Sequence, residues 1–345
     1  MTNGRSVRDV GEFALIEILA SSLPADVRAG TDLHVGIGDD AAVWAPSPGE
    51  NVVVTTDSLV ADVHFRLEWT DWESLGHKTL AVNVSDLAAM GAQPKLAVIS
   101  LGLDGTEKVG DLAALYKGLG ALALRHHIAI AGGDIVRSPQ GLVLHLTALG
   151  ETRGRRVLAR SGANAGDLIG VTGTLGASAA GLRLLGLGPA DPRRRAATAG
   201  QLIEAHVRPE PRVAMGGVLL EQGATSAMDL SDGLLGDLPK ILAASGVDAR
   251  VEEAAIPVAA AVRALFPDEW LEMALRGGED YELLFTAPRE TWDSIESAAQ
   301  QSGGSVTAIG EIVAGGSDPR GVELTGRDGA RRTVALGAFD HFSGA

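Results

Sequence analysis

The chain is 345 residues long, with 46% hydrophobic, 21% charged and only 4% aromatic residues and a formal net charge of −15. That length exceeds one ordinary core and predicts two domains, while the charge argues against nucleic acid or an anionic membrane as the main partner. The absence of cysteine excludes disulfides and thiolate metal sites, and the lack of an apolar signal core in Met1 to Val10, or of any run near ~18 apolar residues, predicts a cytoplasmic protein.

From the N-terminus, Gly11 to Ser22 reads as a short amphipathic helix carried by Phe13, Leu15, Ile16, Ile18 and Leu19. Leu33 to Ile37 leads into Gly36-Ile37-Gly38-Asp39-Asp40-Ala41-Ala42-Val43, which nearly matches the dinucleotide fingerprint. Pro46 and Pro48 follow too soon for the helix that fingerprint needs, and two adjacent carboxylates would repel a phosphate, so the Rossmann reading is rejected. Asp39 and Asp40 are then either metal ligands or an acidic turn. Asn51 to Asp57 reads as a β-branched strand ending in Asp57. His64 beside Phe65 is, taken alone, more often structural than functional.

Thr70-Asp71-Trp72-Glu73 opens a helix with a capping-box pattern, Leu75, Leu80, Leu87 and Met90 recur at helical spacing, and Gly91 supplies the stop. Asn83 and Asp86 share one face of it. The sequence around Asp86 is apolar or small, and a buried carboxylate must be paired, hydrogen-bonded or metal-bound. Lys95 to Leu103 reads as a strand, Val109 to His127 as an amphipathic helix containing Tyr116, Ile128 to Ala131 as a strand stopping at Gly132-Gly133-Asp134, and Gly141 to Gly150 as a further strand. Asp40, Asp57, Asp86 and Asp134 thus all fall at the ends of elements, the pattern of a ligand crevice at a sheet edge.

The charge shift from Glu151 to Arg156 places a domain boundary there, giving domains 1–150 and 151–345. Asp167 falls in a turn before a strand and reads as structural. Gly186 to Arg195 is a surface loop, and Pro209 and Pro211 bracket the start of a helix reaching Glu221. Ala224 to Leu230 forms a strand entering Met228-Asp229-Leu230-Ser231-Asp232-Gly233, with a helix to Ala244. Arg276-Gly277-Gly278-Glu279-Asp280 precedes a strand from Tyr281 to Thr286, so the second half weakly echoes the first. Oxygen-only ligands favour Mg²⁺ over zinc or copper, and Mg²⁺ is usually shared between carboxylates and substrate phosphates. No Gly-Lys-Ser/Thr occurs, and the protein-kinase catalytic-loop and Asp-Phe-Gly signatures are absent. Counting carboxylates alone leaves a two-metal nuclease or phosphatase open.

Taken in order, Gly36 to Ala42, Thr55-Thr56-Asp57, Asn83 to Ala92, Gly132-Gly133-Asp134, Met228 to Gly233 and Gly278-Glu279-Asp280-Tyr281-Glu282 closely resemble the thiamine-monophosphate kinase family of the aminoimidazole ribonucleotide synthetase-like superfamily. The resemblance runs from Gly11-Glu12-Phe13 to Phe339-Asp340-His341-Phe342. It implies an α/β (α+β) two-domain architecture of mixed sheets covered by helices. The N-terminal domain would bind metal and ATP and pair Val52 to Thr56, Lys95 to Leu103 and Gly141 to Gly150 into a homodimer barrel; the C-terminal domain would complete the site. It further implies transfer from ATP to thiamine monophosphate, giving thiamine diphosphate and ADP. Asp40, Thr55, Thr56, Asp57, Asp86, Asp134, Asp229 and Asp232 match its magnesium positions, with Asp57, Asp86 and Asp232 closest to the chemistry. Tyr116, Gly133, Arg160 and Ser231 match ATP contacts, and His64, Glu279 and Phe339 match substrate-side positions. A purine or selenium synthetase of the same superfamily and a non-catalytic nucleotide-binding protein are the competing expectations.

Overall fold

In the computed structural model, which describes residues 4–315 and 321–333, the chain divides between Arg155 and Arg156 into two units, with Ala88–Gly91 counted in the second. The elements of the first run α1 (Val7–Val10), α2 (Glu12–Ser22), α3 (Ala25–Ala29), β1 (Leu33–Val35), β2 (Val43–Trp44), β3 (Val52–Val60), α4 (Trp72–Ala89), β4 (Gln93–Leu103), α5 (Val109–Arg125), β5 (Ala129–Arg137) and β6 (Val143–Glu151). Its main sheet has the order β3-β6-β4-β5, and β1 and β2 form a separate ribbon. β6 runs antiparallel to both β3 and β4, whereas β4 and β5 are parallel.

Two strands are longer than expected, and both corrections move a carboxylate. β3 pairs without a break from Val52 opposite Glu151 to Val60 opposite Val143, so Asp57 lies within the strand rather than at its end. β5 continues through Gly132-Gly133-Asp134 to Arg137, with Ala131 of β5 as the extra residue between the partners of Ala97 and Val98. Gly133 answers a close approach there, since a Cβ on it would overlap the Ile99 carbonyl of β4.

α4 starts one residue later than the expected capping box. Asp71, not Thr70, is the cap: its Oδ1 accepts the Ser74 N–H at 2.8 Å and its Oδ2 accepts the Ser74 hydroxyl at 2.8 Å. The helix closes as the sequence indicates, with Gly91 at φ +67° and the Ala92 N–H reaching back to the Leu87 carbonyl at 2.9 Å. Leu75, Leu80 and Leu87 are at most 1% exposed. α4 and α5 cross in backbone contact, since a methyl group on Gly76 would overlap the Leu115 carbonyl and one on Gly118 would overlap that of Glu73.

The second unit contains β7 (Leu168–Thr172), α6 (Ala177–Gly186), α7 (Ala199–Val207), α8 (Val213–Glu221), β8 (Ser226–Asp229), α9 (Leu234–Ser245), β9 (Val247–Glu252), α10 (Ala260–Leu265), α11 (Trp270–Arg276), β10 (Leu283–Ala287), α12 (Trp292–Gln301), β11 (Val306–Ala314), β12 (Val322–Thr325) and β13 (Arg331–Thr333). Its seven-stranded sheet has the order β13-β12-β9-β11-β7-β10-β8, antiparallel except for β12 beside β9. The interior strand β10 is buried throughout, as expected of a strand covered on both faces. Leu284 packs with Leu234, Leu238 and Ile241 of α9, while Leu283 and Phe285 pack with Leu219 of α8 and Ile295 of α12. Alternation along β10 therefore feeds two apolar layers. Among the described residues no helix is long and apolar enough to cross a membrane.

Candidate active site

In the first unit, β3 and α4 bring together three of the expected residues. The Thr55 hydroxyl donates to Asp86 Oδ2 at 2.6 Å, and Asp57 follows two residues along the same face of the strand. Burial, and secondly the charge of Asp86, push the Asp57 carboxyl up to about 6. The residue as a whole is exposed, so its carboxyl is crowded by protein atoms yet still reaches solvent. Two crowded carboxylates and a hydroxyl form an oxygen-only set.

The other expected residues of this unit stand apart from that set. The Thr56 hydroxyl lies on the opposite face of β3, bonded to the Leu146 carbonyl at 3.0 Å and within 3.1 Å of His145 Nε2. Asp40 is exposed in the segment between β1 and β2, where its N–H donates to Asp39 Oδ1 at 2.8 Å; Asp39 thus shapes the turn. Asp134 is exposed on β5 and accepts the Ile135 N–H at 2.9 Å. Gly133 is exposed beside it, opposite Ile99. His64 accepts the Val60 N–H on Nδ1 at 3.1 Å, leaving the ring proton on Nε2. Tyr116 is only 7% exposed, and burial strongly disfavours its ionisation. Asn83 is fully buried, its amide donating to the Thr79 carbonyl at 3.3 Å while Oδ1 has no partner among the described residues. Among the described residues no three carboxylate or imidazole groups gather closely enough to hold a metal ion. What the unit offers still fits Mg²⁺, which commonly takes one or two carboxylates and completes its shell with water and substrate phosphates.

In the second unit, β8 ends in Asp229, 6% exposed, and the chain turns through Ser231 and Asp232 into α9. Lys240 Nζ donates to Asp232 Oδ2 at 2.6 Å and to Asp237 Oδ1 at 2.7 Å, and Asp237 Oδ2 accepts the Asp232 N–H at 2.9 Å. Burial raises the Asp237 pKa against the pull of Lys240. The acidic turn is laced to the Gly-Gly-Glu-Asp segment: the Glu279 N–H donates to the Ser231 carbonyl at 2.8 Å, and the Tyr281 N–H to that of Leu230 at 2.9 Å. A side chain on Gly278 would overlap the Ser231 carbonyl, which explains a glycine at this close approach. Glu279 and Tyr281 both adopt left-handed backbone, at φ +65° and +51°, an arrangement rare outside glycine. β10 therefore begins at Leu283, not at Tyr281 as the pattern suggested.

Three side chains anchor that strained segment. Glu279 Oε2 lies 3.3 Å from His206 Nδ1. Asp280 accepts the N–H groups of Gly176 at 2.6 Å and Ser178 at 3.0 Å at the start of α6, and burial pushes its carboxyl up to about 7 against those donors. Glu282, 3% exposed, takes a two-pronged bond from Arg212, at 2.8 Å from Nε and 2.6 Å from a terminal nitrogen, and a third from the Thr172 hydroxyl at 2.6 Å. Arg160 is exposed, its carbonyl accepting the Ser245 hydroxyl at 3.2 Å. Phe339 lies outside the described residues. Sequence reasoning missed Lys240, His206 and Arg212. Only Lys240 left a trace, since it stands three residues after Asp237 on α9.

Residues 38–152 match the family described as AIR synthase related protein, N-terminal domain, and residues 164–321 match its C-terminal domain. Thiamine-monophosphate kinase of Escherichia coli (strain K12) is 39% identical over 336 residues, covering 96% of this chain and 98% of that protein. The chain belongs to the thiamine-monophosphate kinase family. The crystal structure of that kinase from Stenotrophomonas maltophilia K279a superimposes with a TM-score of 0.78 at 40% identity, covering 93% of this chain and 97% of that one. AaThiL complexed with AMPPCP and TMP gives a TM-score of 0.74 at 31% identity, covering 97% of this chain and 98% of that one. The two-domain α/β fold with mixed sheets implied by the sequence motifs is the fold observed.

Proposed function

We propose that this protein transfers the terminal phosphoryl group of ATP to thiamine monophosphate, giving thiamine diphosphate and ADP, in the cytoplasm. The observation that carries this reading is the near full-length correspondence with AaThiL bound to both AMPPCP and TMP. The acceptor is a phosphate oxygen, already ionised near neutral pH, so the reaction needs no strong general base. The obstacle is alignment of two polyanions, and the contribution of the chain is to position them. Mg²⁺, when bound, neutralises charge on the phosphates and on the group in flight. Several ions would share the site: Asp57, Asp86 and Thr55 would hold one in the first domain, Asp40, Asp134 and Thr56 would serve others there, and Asp229 and Asp232 would contribute from the second. Tyr116, Gly133, Arg160 and Ser231 would contact ATP; His64, Glu279 and Phe339 would contact the thiamine moiety, whose cationic ring suits a carboxylate and an aromatic face.

The active species is a homodimer formed through the first sheet. Val52 and Val54 are 43% and 60% exposed on β3 and Val136 is 50% exposed on β5, leaving apolar strand surface that a second copy would cover. Light scattering should return twice the 35.5 kDa chain mass; a monomer at micromolar concentration would refute this.

The activity test is incubation with ATP, Mg²⁺ and either thiamine monophosphate or thiamine, with products separated by chromatography. Thiamine diphosphate should form from the monophosphate. Thiamine should react poorly, because its hydroxyl must lose a proton on attack and it lacks the phosphate that would anchor and align it on the metal set. Equal use of thiamine would remove the phosphate-nucleophile argument, and ATP consumption on a purine intermediate instead would move the protein to the synthetase branch.

A further inference from the structure

Glu279 stands on backbone that a glutamate rarely adopts, at φ +65°. Strain of this kind persists only where the surroundings over-determine it, and it gathers at functional sites. Here the surroundings are specific. The Glu279 N–H is held by the Ser231 carbonyl at 2.8 Å, and the next residue, Asp280, is held by the first N–H groups of α6. Backbone position is thereby settled on both sides of the Glu279 Cα, but its side chain has three further torsions of its own, and a glutamate loses much rotamer freedom when fixed.

His206 acts on that remaining freedom. It lies at the end of α7, 6% exposed, with Nδ1 3.3 Å from Glu279 Oε2 and 3.0 Å from the hydroxyl of Ser178, itself 1% exposed. The carboxylate can only accept, whereas the hydroxyl can donate or accept, so an Nδ1 proton stands between the Ser178 oxygen and the Glu279 carboxylate. Both the neutral Nδ1–H tautomer and the imidazolium supply that proton. The imidazole is buried and rigid, whereas the glutamate side chain keeps 25% of its surface exposed. One end of the pair is thus fixed by packing, and the other is open to a ligand.

We propose that His206 is a positioning residue: it orients the Glu279 carboxylate to receive the cationic ring system of thiamine monophosphate, so that side-chain ordering is completed on folding rather than on binding. The inference rests on the reading that Glu279 faces the substrate. His206 acts through Glu279, so its removal weakens binding of thiamine monophosphate and leaves ATP binding alone.

The test combines steady-state kinetics with calorimetric titration of thiamine monophosphate, using His206→Ala, His206→Asn, Glu279→Gln and the double variant His206→Ala/Glu279→Gln. His206→Ala should raise KM for thiamine monophosphate about tenfold, the effect of losing one hydrogen bond to a charged group, with a matching rise in Kd and with KM for ATP within about twofold. Asn places an amide N–H close to where Nδ1–H stood, so His206→Asn should recover most of the loss. Placed on Glu279→Gln, His206→Ala should add less than about twofold, because the two act through one contact. Independent, additive losses would overturn the proposal, as would a rise in both KM values together that His206→Asn does not relieve. Should His206→Ala fail to fold, His206→Asn against His206→Leu carries the same comparison of donor with no donor. If Glu279→Gln leaves KM for thiamine monophosphate unchanged, the substrate reading of Glu279 fails and this inference falls with it. If Glu279→Gln raises KM and His206→Ala does not, only this inference fails.

Discussion

Replacing Arg212 by alanine tests whether the strained segment depends on a charge buried behind it. The Glu282 side chain is 5% exposed and the Arg212 side chain 35%, so removal of the guanidinium strands a carboxylate that keeps only the Thr172 hydroxyl and its other protein neighbours. One-sided loss of a buried pair costs about 3–5 kcal/mol. The partial exposure of Arg212 places the expected cost near the lower end, about 3 kcal/mol. For a domain of this size that corresponds to a fall of roughly 6–12 °C in Tm, measurable by differential scanning calorimetry. Arg289 supplies the control: it pairs with Glu311 at 2.7 Å, against 2.6 Å for Arg212 with Glu282, but is 60% exposed, and Arg289→Ala should cost no more than about 0.5 kcal/mol. Arg212→Lys should fall between the two, because an ammonium keeps the charge but cannot reproduce the fork. A Tm for Arg212→Ala indistinguishable from that of Arg289→Ala would refute the reasoning.

Asp86→Asn should lower kcat by about 100-fold or more, since the carboxylate neighbours both Thr55 and Asp57; Tm in EDTA should hold or rise, because a like charge beside Asp57 is gone. Near-normal turnover at ordinary Mg²⁺ would remove Asp86 from the metal set. Asp57 supplies a pH test in metal-free protein. Its folded-state pKa is raised to about 6, so the stability it contributes is present below its unfolded value near 3.8 and lost as pH rises through 6. Asp57→Asn should therefore be more stable than the parent at pH 7.5 in EDTA, with the gap narrowing as pH falls below 6 and closing only below the unfolded value near 3.8; a gap independent of pH would show that the carboxyl titrates normally.

The parts of the fold legible in the sequence are those set by local periodicity. α4 and α5 were readable because apolar residues recur along them at helical spacing, and Gly91 marks the stop of α4 where the structure places it. Strand ends were not readable, because a strand stops where its partner stops. Asp57 lies within β3 because β6 keeps pairing as far as Val143, and Asp134 lies within β5 because β4 keeps pairing beyond Gly133. The one-residue shift at Asp71 has a similar origin: Thr70 and Asp71 both satisfy the capping pattern, and only geometry selects between them.

The acidic motifs were legible as residue types, but their supports were not, for a physical reason. A carboxylate that faces a ligand stands out beside glycine, where close approach is needed. The group that holds it is an ordinary polar residue on an ordinary helix. His206 on α7 reads as a helical histidine, and Arg212 as one arginine among many, until folding sets them against Glu279 and Glu282. The left-handed backbone at Glu279 and Tyr281 is likewise invisible in composition, since neither residue type favours it. It follows from tertiary constraint, with the Ser231 and Leu230 carbonyls drawing in the two N–H groups and the glycine at 278 permitting that approach. The acidic turn after β8 and the Gly-Gly-Glu-Asp segment are therefore one mechanical unit, and a substitution at either should be felt at the other. Disturbing Ser231 should alter recognition through Glu279 as well as any contact of its own with ATP.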